Sequence, residues 1–539
     1  MNIRDLIDEK TREVLDNAII QLAIKQGDMP GRDPTNQWCF TLTGLTASAY
    51  STDNAILKSM LNRHLDGLTS EPVNQKGQSA SGYFIEGSGC DGDYHNLSRD
   101  LCFEVYELIQ RKDPANSNLE TLRNMIQENT EFYSLFLLPQ ENGIFRSNAA
   151  TSRTIHDLGI DSHTTYTKIM DEFPLAKRRF ELLNHDEVWA NDRIVKYIGI
   201  YDNYSAKAVS GDIYEFEAYK NVKDTQMESE LLPYEKESGL WEKPGIIALK
   251  HKGLYMNVFY DTPETEILPA MSFMGGGITL LYGDDVETVV ASRKHDNYSD
   301  ITSYNMVRSS CVFGKTNDQN VFVTGKEKAE LTWLEEGKSF KISRTTPEGI
   351  DVSWTYTLTE DGISQKVQSS GDASEMWLNI PISNVNENAS LIEKENGVEY
   401  SASGSSISFD WESGKEYYIT VLDDVRYLRI NMSDGEADID IKYNQKSVCI
   451  KNADISENKV SVGVKNNTNE SKNLVLIYAV YSDEGVLEYM KSSEAISLEE
   501  NSGKVVDIDI ENSAEGKNVK IFCWSSIDNM MPYDVYKMP

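Results

Sequence analysis

No run of about 18 apolar residues occurs anywhere in the 539-residue sequence, which leaves no helix able to span a bilayer. Cysteine is scarce: Cys39, Cys90, Cys102, Cys311, Cys449 and Cys523 are scattered without a CxxC spacing, too sparse for a disulfide scaffold, and read as small buried hydrophobes. Positive charge is also short, with 52 Lys and Arg against 86 Asp and Glu. The resulting net charge of −34 excludes nucleic acid and anionic membranes as partners, since both recruit Lys and Arg. The sequence has no GxSxG motif, no repeat at solenoid spacing and no low-complexity run. Its opening, MNIRDLIDEKTREVLDNAII, has no basic patch before an apolar core, so it reads as an acidic amphipathic helix and not as a secretory signal.

What is present falls into three segments. Residues 1–184 carry apolar side chains three and four apart, as in IRDLIDEKTREVLDNAIIQLAI, TDNAILKSMLNRHLDGL and NLSRDLCFEVYELIQ, and read as helices joined by long polar loops. Ser51, Thr52, Asp53 and Asn54 are candidate caps for the second of these, Asn96 and Ser98 for the third. From residue 185 the period changes to two, as in GDIYEFEAYKNV, GLYMNVFYDT and GIDVSWTYTLTEDG, which predicts a large antiparallel sandwich over 185–440. The same pattern on a smaller scale predicts a separate small sandwich over 441–539. Charge is uneven: residues 1–184 hold 18 basic and 26 acidic side chains, residues 441–539 hold 11 and 15, and the middle carries −22. The helical segment is therefore less hostile to an anionic ligand than the sandwich that follows it.

Three loops of the helical segment have more than connector composition. GRDPTNQWCFTLTG, residues 31–44, brings Asn36 and Trp38 together; SGYFIEGSGCDGDYHN, residues 81–96, holds Glu86, Tyr94 and His95; residues 142–166 hold Arg146, Arg153, His156, His163 and Tyr166. Removing a proton beside a carboxylate requires Asn or Arg to neutralise the developing enolate, Tyr or His as base, and a phenol or imidazole to protonate the leaving oxygen. Asn36, Tyr94, His95, Arg146 and Arg153 supply those types, and Trp38 offers a face for a sugar ring. Structural roles are open to the same residues: Trp38 as a buried anchor, His156 and His163 as loop or capping residues, Arg153 as a partner of Asp157. A metal site could use His95 with Asp91 or Asp93, although the other ligands of a calcium loop are missing. Glu86 and Asp93 would suit a glycoside hydrolase. Gly275, Gly276 and Gly277 lie between strand-like residues with no helix after them, against a phosphate loop.

This order of features resembles the polysaccharide lyases of the hyaluronate, chondroitin and xanthan lyase type, and the related heparinase and alginate lyase group. SGYFIEGSGCDGDYHN is similar to their His- and Tyr-bearing loop, with Glu86, Ser88, Tyr94 and His95 matching the heparinase-like version. NAATSR, residues 148–153, is similar to their Arg motif, and GGGITLLY, residues 275–282, to a strand of their sandwich. The resemblance implies an α+β chain with an incomplete N-terminal α/α toroid, a central antiparallel β-supersandwich and a small C-terminal β-sandwich. It implies cleavage of a uronate-containing polysaccharide by β-elimination. Tyr94 and His95 would act as base and acid, Asn36 would neutralise the carboxylate and Arg146 and Arg153 would hold it. Trp38, Glu86, His156, His163 and Tyr166 would line the substrate cleft. No cofactor is expected, although the acidic sandwich could hold a structural calcium ion. A gapless overlay places the family's His and Tyr on Gly87 and Gly92 and its first Arg on Ala149. A carbohydrate-binding relative that has lost the chemistry is therefore the alternative. The tail VKIFCWSSIDNMMPY resembles a module of secreted polysaccharide-degrading enzymes from Gram-positive bacteria, which implies an extracellular or cell-surface setting.

Overall fold

The computed structural model describes residues 6–27, 35–69, 77–85, 90, 94–139, 145–146, 172–183, 227–262, 275–292, 307–325, 327–382, 389–402, 405–422, 425–456, 458–482, 484–511, 518–528 and 531–537. Glu86, Arg153, His156, His163 and Tyr166, the overlay positions Gly87, Gly92 and Ala149, the acids Asp91 and Asp93, and the expected strand GDIYEFEAYKNV lie outside them.

The described chain is α+β: helices first, then antiparallel sheet. The helices are α1 (Glu9–Gly27), α2 (Thr35–Thr52), α3 (Ala55–Thr69), α4 (Tyr94–Lys112), α5 (Leu119–Ser134) and α6 (Pro174–Leu183). Asn54 caps α3, its Oδ1 accepting the backbone N–H groups of Ile56 at 2.9 Å and Leu57 at 3.1 Å. The expected loop over 31–44 is corrected by α2. Its Trp38, Cys39, Leu42, Leu45 and Ala49 fall on one buried face, while Thr41, Thr43 and Ser48 return their hydroxyls to carbonyls four residues back. Gly44 and the run of Thr, weak helix formers, hide that period in the sequence.

Two large sheets enclose the central core. The eight-stranded sheet runs in the order Glu330–Glu335, Ser339–Thr345, Asp351–Leu358, Gly362–Ser370, Glu436–Gln445, Ser405–Trp411, Gly397–Ala402, Ser390–Lys394. The ten-stranded sheet runs Tyr417–Leu422, Val425–Asn431, Ala373–Ile382, Glu287–Ala291, Leu280–Gly283, Leu254–Phe259, Ile246–His251, Gly239–Lys243, with Cys311–Thr316 and Val321–Val323 joined at Ala373–Ile382. Strands Ile246–His251 and Leu254–Phe259 are buried on both faces. Ile247, Leu249, Met256 and Val258 pack in the core between the sheets, whereas Ile246, Ala248, Tyr255 and Phe259 pack against Tyr83, Phe132 and Phe136 of the helical region. Alternation persists in these strands, but each face meets an apolar neighbour.

Gly275, Gly276 and Gly277 have a packing reason. A Cβ on Gly276, whose φ is +97°, would come within 2.6 Å of the Trp354 ring, and one on Gly275 within 2.3 Å of Ser310 and Cys311.

Because Glu436–Gln445 is paired inside the eight-stranded sheet, the small C-terminal unit begins at Val448, beyond the expected boundary at 440. It has a three-stranded sheet (Val448–Ser456, Lys459–Asn466, Gly503–Asp509) and a second sheet of Leu487–Ser492, Lys472–Tyr481, Asn518–Trp524 and Pro532–Lys537, with Ile496–Leu498 on Lys472–Tyr481. Its attachment centres on Asp285, in the turn between Leu280–Gly283 and Glu287–Ala291. That carboxylate pairs with Lys451, lies 3.7 Å from the Lys465 ammonium, and accepts the Tyr443 hydroxyl at 3.2 Å and the Gln445 amide at 2.9 Å.

Candidate functional site

The helical region presents one end to the ten-stranded sheet, and Asn36, the Tyr94–His95 turn and the Arg146 backbone lie at that end. Helices α2 and α4 are parallel, because their cross-contacts keep one offset: Cys39 Sγ lies 3.6 Å from Cys102 Sγ, and the Tyr50 hydroxyl donates to Asp113 Oδ2 at 3.2 Å, each pair 63 residues apart. At that offset Asn36 is level with Arg99, and Tyr94 and His95 lie about one turn, some 6–8 Å, further out along α4. Tyr94 and His95 thus start a helix instead of sitting in the loop before it, which corrects the expected caps Asn96 and Ser98.

The loop that precedes α4 is anchored to the start of α2. Thr35 Oγ1 donates to the Ile85 carbonyl at 2.5 Å, and Ile85 N–H donates to Gly77 O at 2.8 Å. Segment 77–85 also locks onto α5: Gln78 Nε2 donates to Met125 O at 2.7 Å, and Asn129 Nδ2 to Gly82 O at 3.3 Å. Gly82, at φ +107°, is required there, since a Cβ would come within 2.5 Å of Glu128 O. Helix α5 runs back along α4, with Arg123 beside Tyr106, and so ends where α2 and α4 begin. Beyond it Leu138–Pro139 pairs with Phe145–Arg146, which places the Arg146 backbone opposite Leu138 at the same end.

This end is tied to the sheet. Leu135 O accepts the Tyr255 hydroxyl at 2.7 Å and the Asn257 amide at 3.1 Å, and Ser81 Oγ donates to Pro244 O at 2.6 Å. Burial holds the Tyr255 phenol far above the ordinary tyrosine range, so it stays a neutral donor.

Of the expected residues, the structure brings Asn36, the Tyr94–His95 turn and the Arg146 backbone to one end of the helices. Asn36 is buried, 7% exposed, in the first turn of α2. Trp38 is corrected: it is 4% exposed, packs over Gly67, and donates its indole N–H to His64 Nδ1 at 3.1 Å, leaving no open face for a sugar ring. Because His64 Nδ1 accepts, Nε2 carries the proton and donates to Gly27 O at 2.7 Å. Burial pushes the His64 pKa down, which keeps that neutral tautomer. Sequence reasoning passed over Arg99, 1% exposed, level with Asn36, and bonded to Asp100 at 3.0 Å. Its signal was a cation on the apolar side of NLSRDLCF. Among the described residues no group of three or more His, Cys, Asp or Glu side chains is placed to hold a metal ion, and no helix is long and apolar enough to cross a membrane.

No protein-family model matches the sequence, and no curated protein matches it. Among solved structures the chain is similar to a polysaccharide lyase at 11% identity, over 46% of this chain and 43% of that one, with a TM-score of 0.18. It is similar to a chondroitin AC lyase of Streptomyces coelicolor A3 at 8% identity, over 88% of this chain and 77% of that one, with a TM-score of 0.43. It is similar to a Paenibacillus xanthan lyase at 11% identity, over 90% of this chain but only 57% of that one, with a TM-score of 0.44.

Proposed function

We propose that the chain is a polysaccharide lyase that cleaves a uronate-containing glycan by β-elimination at the end of the helical region where α2 and α4 begin. The observation that carries this is the convergence of Asn36, the Tyr94–His95 turn and the Arg146 backbone on the one end that faces the ten-stranded sheet. Two parallel helices present their N-terminal ends there, which favours a carboxylate. In this mechanism Asn36 hydrogen-bonds the uronate carboxyl, with Arg146 and Arg153 offsetting its charge as the proton beside it is withdrawn. Tyr94 or His95 takes that proton, a carbon–carbon double bond forms, and the glycosidic oxygen leaves with a proton from the other. The alternating helices are read as an incomplete α/α toroid, the two large sheets as its supersandwich, and the setting as extracellular or cell-surface.

The test is a panel of uronate-containing polysaccharides incubated with wild type and with Tyr94→Phe/His95→Ala, followed by ultraviolet absorbance of the unsaturated uronyl end. Absorbance that rises with wild type and not with the double variant is expected. Binding without any absorbance on every glycan would instead favour the relative that has lost the chemistry. Saturated reducing ends, still formed by the double variant, would favour hydrolysis through Glu86 or Asp93.

A further inference from the structure

A cavity lies at the same end of the helices, outside the Asn36 and Tyr94–His95 cluster. It is about 360 Å³, within the range of small-ligand sites, and is bounded by the end of α5, the start of α6, residues 230–236 and the edge strand Gly239–Lys243. Trp241 provides its aromatic wall, with the Lys236 ammonium 5.7 Å from the ring centroid, so a sugar that stacks there shares the ring with a flexible lysine. The indole folds back over Gly239, where a Cβ would come within 2.5 Å of the ring, so a glycine at that position sets the ring's orientation. Leu231 and Leu240, 46% and 40% exposed, also line the cavity.

The polar lining decides what would fit. The lining holds three carboxylates, Glu131, Glu230 and Glu242, and two ammonium groups, Lys236 and Lys243; Glu242 alternates to the other side of the strand and already accepts the Trp333 indole N–H at 3.2 Å. Both ammonium groups are already paired, Lys236 with Glu230 at 3.0 Å and Lys243 with Glu131 at 3.1 Å and Glu128 at 2.5 Å. An incoming carboxylate would meet net negative charge and no free cation among these residues. Sugar hydroxyls can donate to carboxylates while the ring's apolar face lies on an indole.

We infer that this cavity is a subsite for an uncharged pyranose residue of the glycan, with Trp241 as its stacking platform and Glu230 as a hydroxyl acceptor. It rests on the reading of the chain as a glycan-acting protein, and it assigns the neutral and the acidic sugars of a mixed polymer to different places on that end.

The test measures binding to the full chain by calorimetry, with cellobiose, N,N′-diacetylchitobiose, and chondroitin, hyaluronan and alginate tetrasaccharides as probes. Expected is binding of at least one neutral disaccharide that changes less than twofold between 50 and 300 mM salt and weakens tenfold or more in Trp241→Ala. Trp241→Phe, which keeps a ring, should lose less, and Glu230→Gln, a surface change that does not threaten folding, should weaken binding several-fold. The Trp241 effect should persist in Tyr94→Phe/His95→Ala. If wild type forms unsaturated product but Trp241→Ala and Glu230→Gln bind every probe as wild type does, the subsite is overturned and the lyase stands. If no unsaturated product forms but neutral sugars bind in a Trp241-dependent way, the lyase fails and the subsite stands. Binding confined to the acidic probes, or none at all, overturns the subsite.

Discussion

Replacing Asp285 by Asn tests whether the small C-terminal unit is held to the central sheets by charge. The carboxylate is 9% exposed and sits among Lys451, Lys465, Tyr443 and Gln445. Removing one partner of a buried ion pair costs about 3–5 kcal/mol when the other charge stays buried. Here Lys451 is 27% and Lys465 41% exposed, so both ammonium groups can recover water, and Asn retains an acceptor for Tyr443 and Gln445. About 2 kcal/mol, roughly half the buried-pair figure, is therefore expected, read as a lower urea midpoint at neutral pH. Burial alone would raise this carboxyl's pKa, but Lys451, Gln445 and Lys465 together leave it below the ordinary 3.8. With the folded pKa depressed, the contribution is present above 3.8 and is lost as pH falls through the lower folded value, so the acid limb of the stability curve should flatten in the variant. Lys451→Met combined with Asp285→Asn should cost less than the two changes summed. The reasoning is refuted if Asp285→Asn is as stable as wild type or more so. That is the outcome for a mere surface acid, because a chain at −34 gains from losing one negative charge.

Three further outcomes are expected. Gly82→Ala should destabilise by about 2 kcal/mol or more, because its methyl meets the Glu128 carbonyl and its φ of +107° resists a side chain; thermal melting checks this. Wild-type stability should decline as pH drops below 6.5, since the unfolded chain takes up a proton that folded His64, with its pKa lowered by burial, refuses; the decline should shrink in His64→Gln. Trp38→Phe should cost about 1–3 kcal/mol by leaving His64 Nδ1 without its donor, with no change in the affinity for any glycan that wild type binds.

Much of the architecture was legible from period alone. Spacings of three and four marked α3, α4 and α5, and alternation marked strands such as Asp351–Leu358, because each has one apolar face to bury. Helix α2 was not legible, since its Thr residues and Gly44 carry loop propensity and only tertiary packing on Cys102 and His64 reveals its face. The fate of Trp38 depended on His64, 26 residues away, a pairing no local pattern encodes. Trp241 went unremarked in GLWEKPG because its meaning comes from α5 and residues 230–236, brought to the strand only by folding. The side-chain types for proton abstraction could be read from composition, whereas their common end depended on the parallel register of α2 and α4.

The strands Ile246–His251 and Leu254–Phe259 act as a party wall between two rooms. A side chain changed on either side disturbs the neighbour through the shared masonry, so the helices are not a detachable module. Cut away after α6, they would leave Tyr255, Phe259 and Tyr282 as bare plaster, and both halves would be expected to aggregate. Evolution would have to keep both sides of this wall papered with apolar residues at once, and heating should bring down the two rooms in one calorimetric transition.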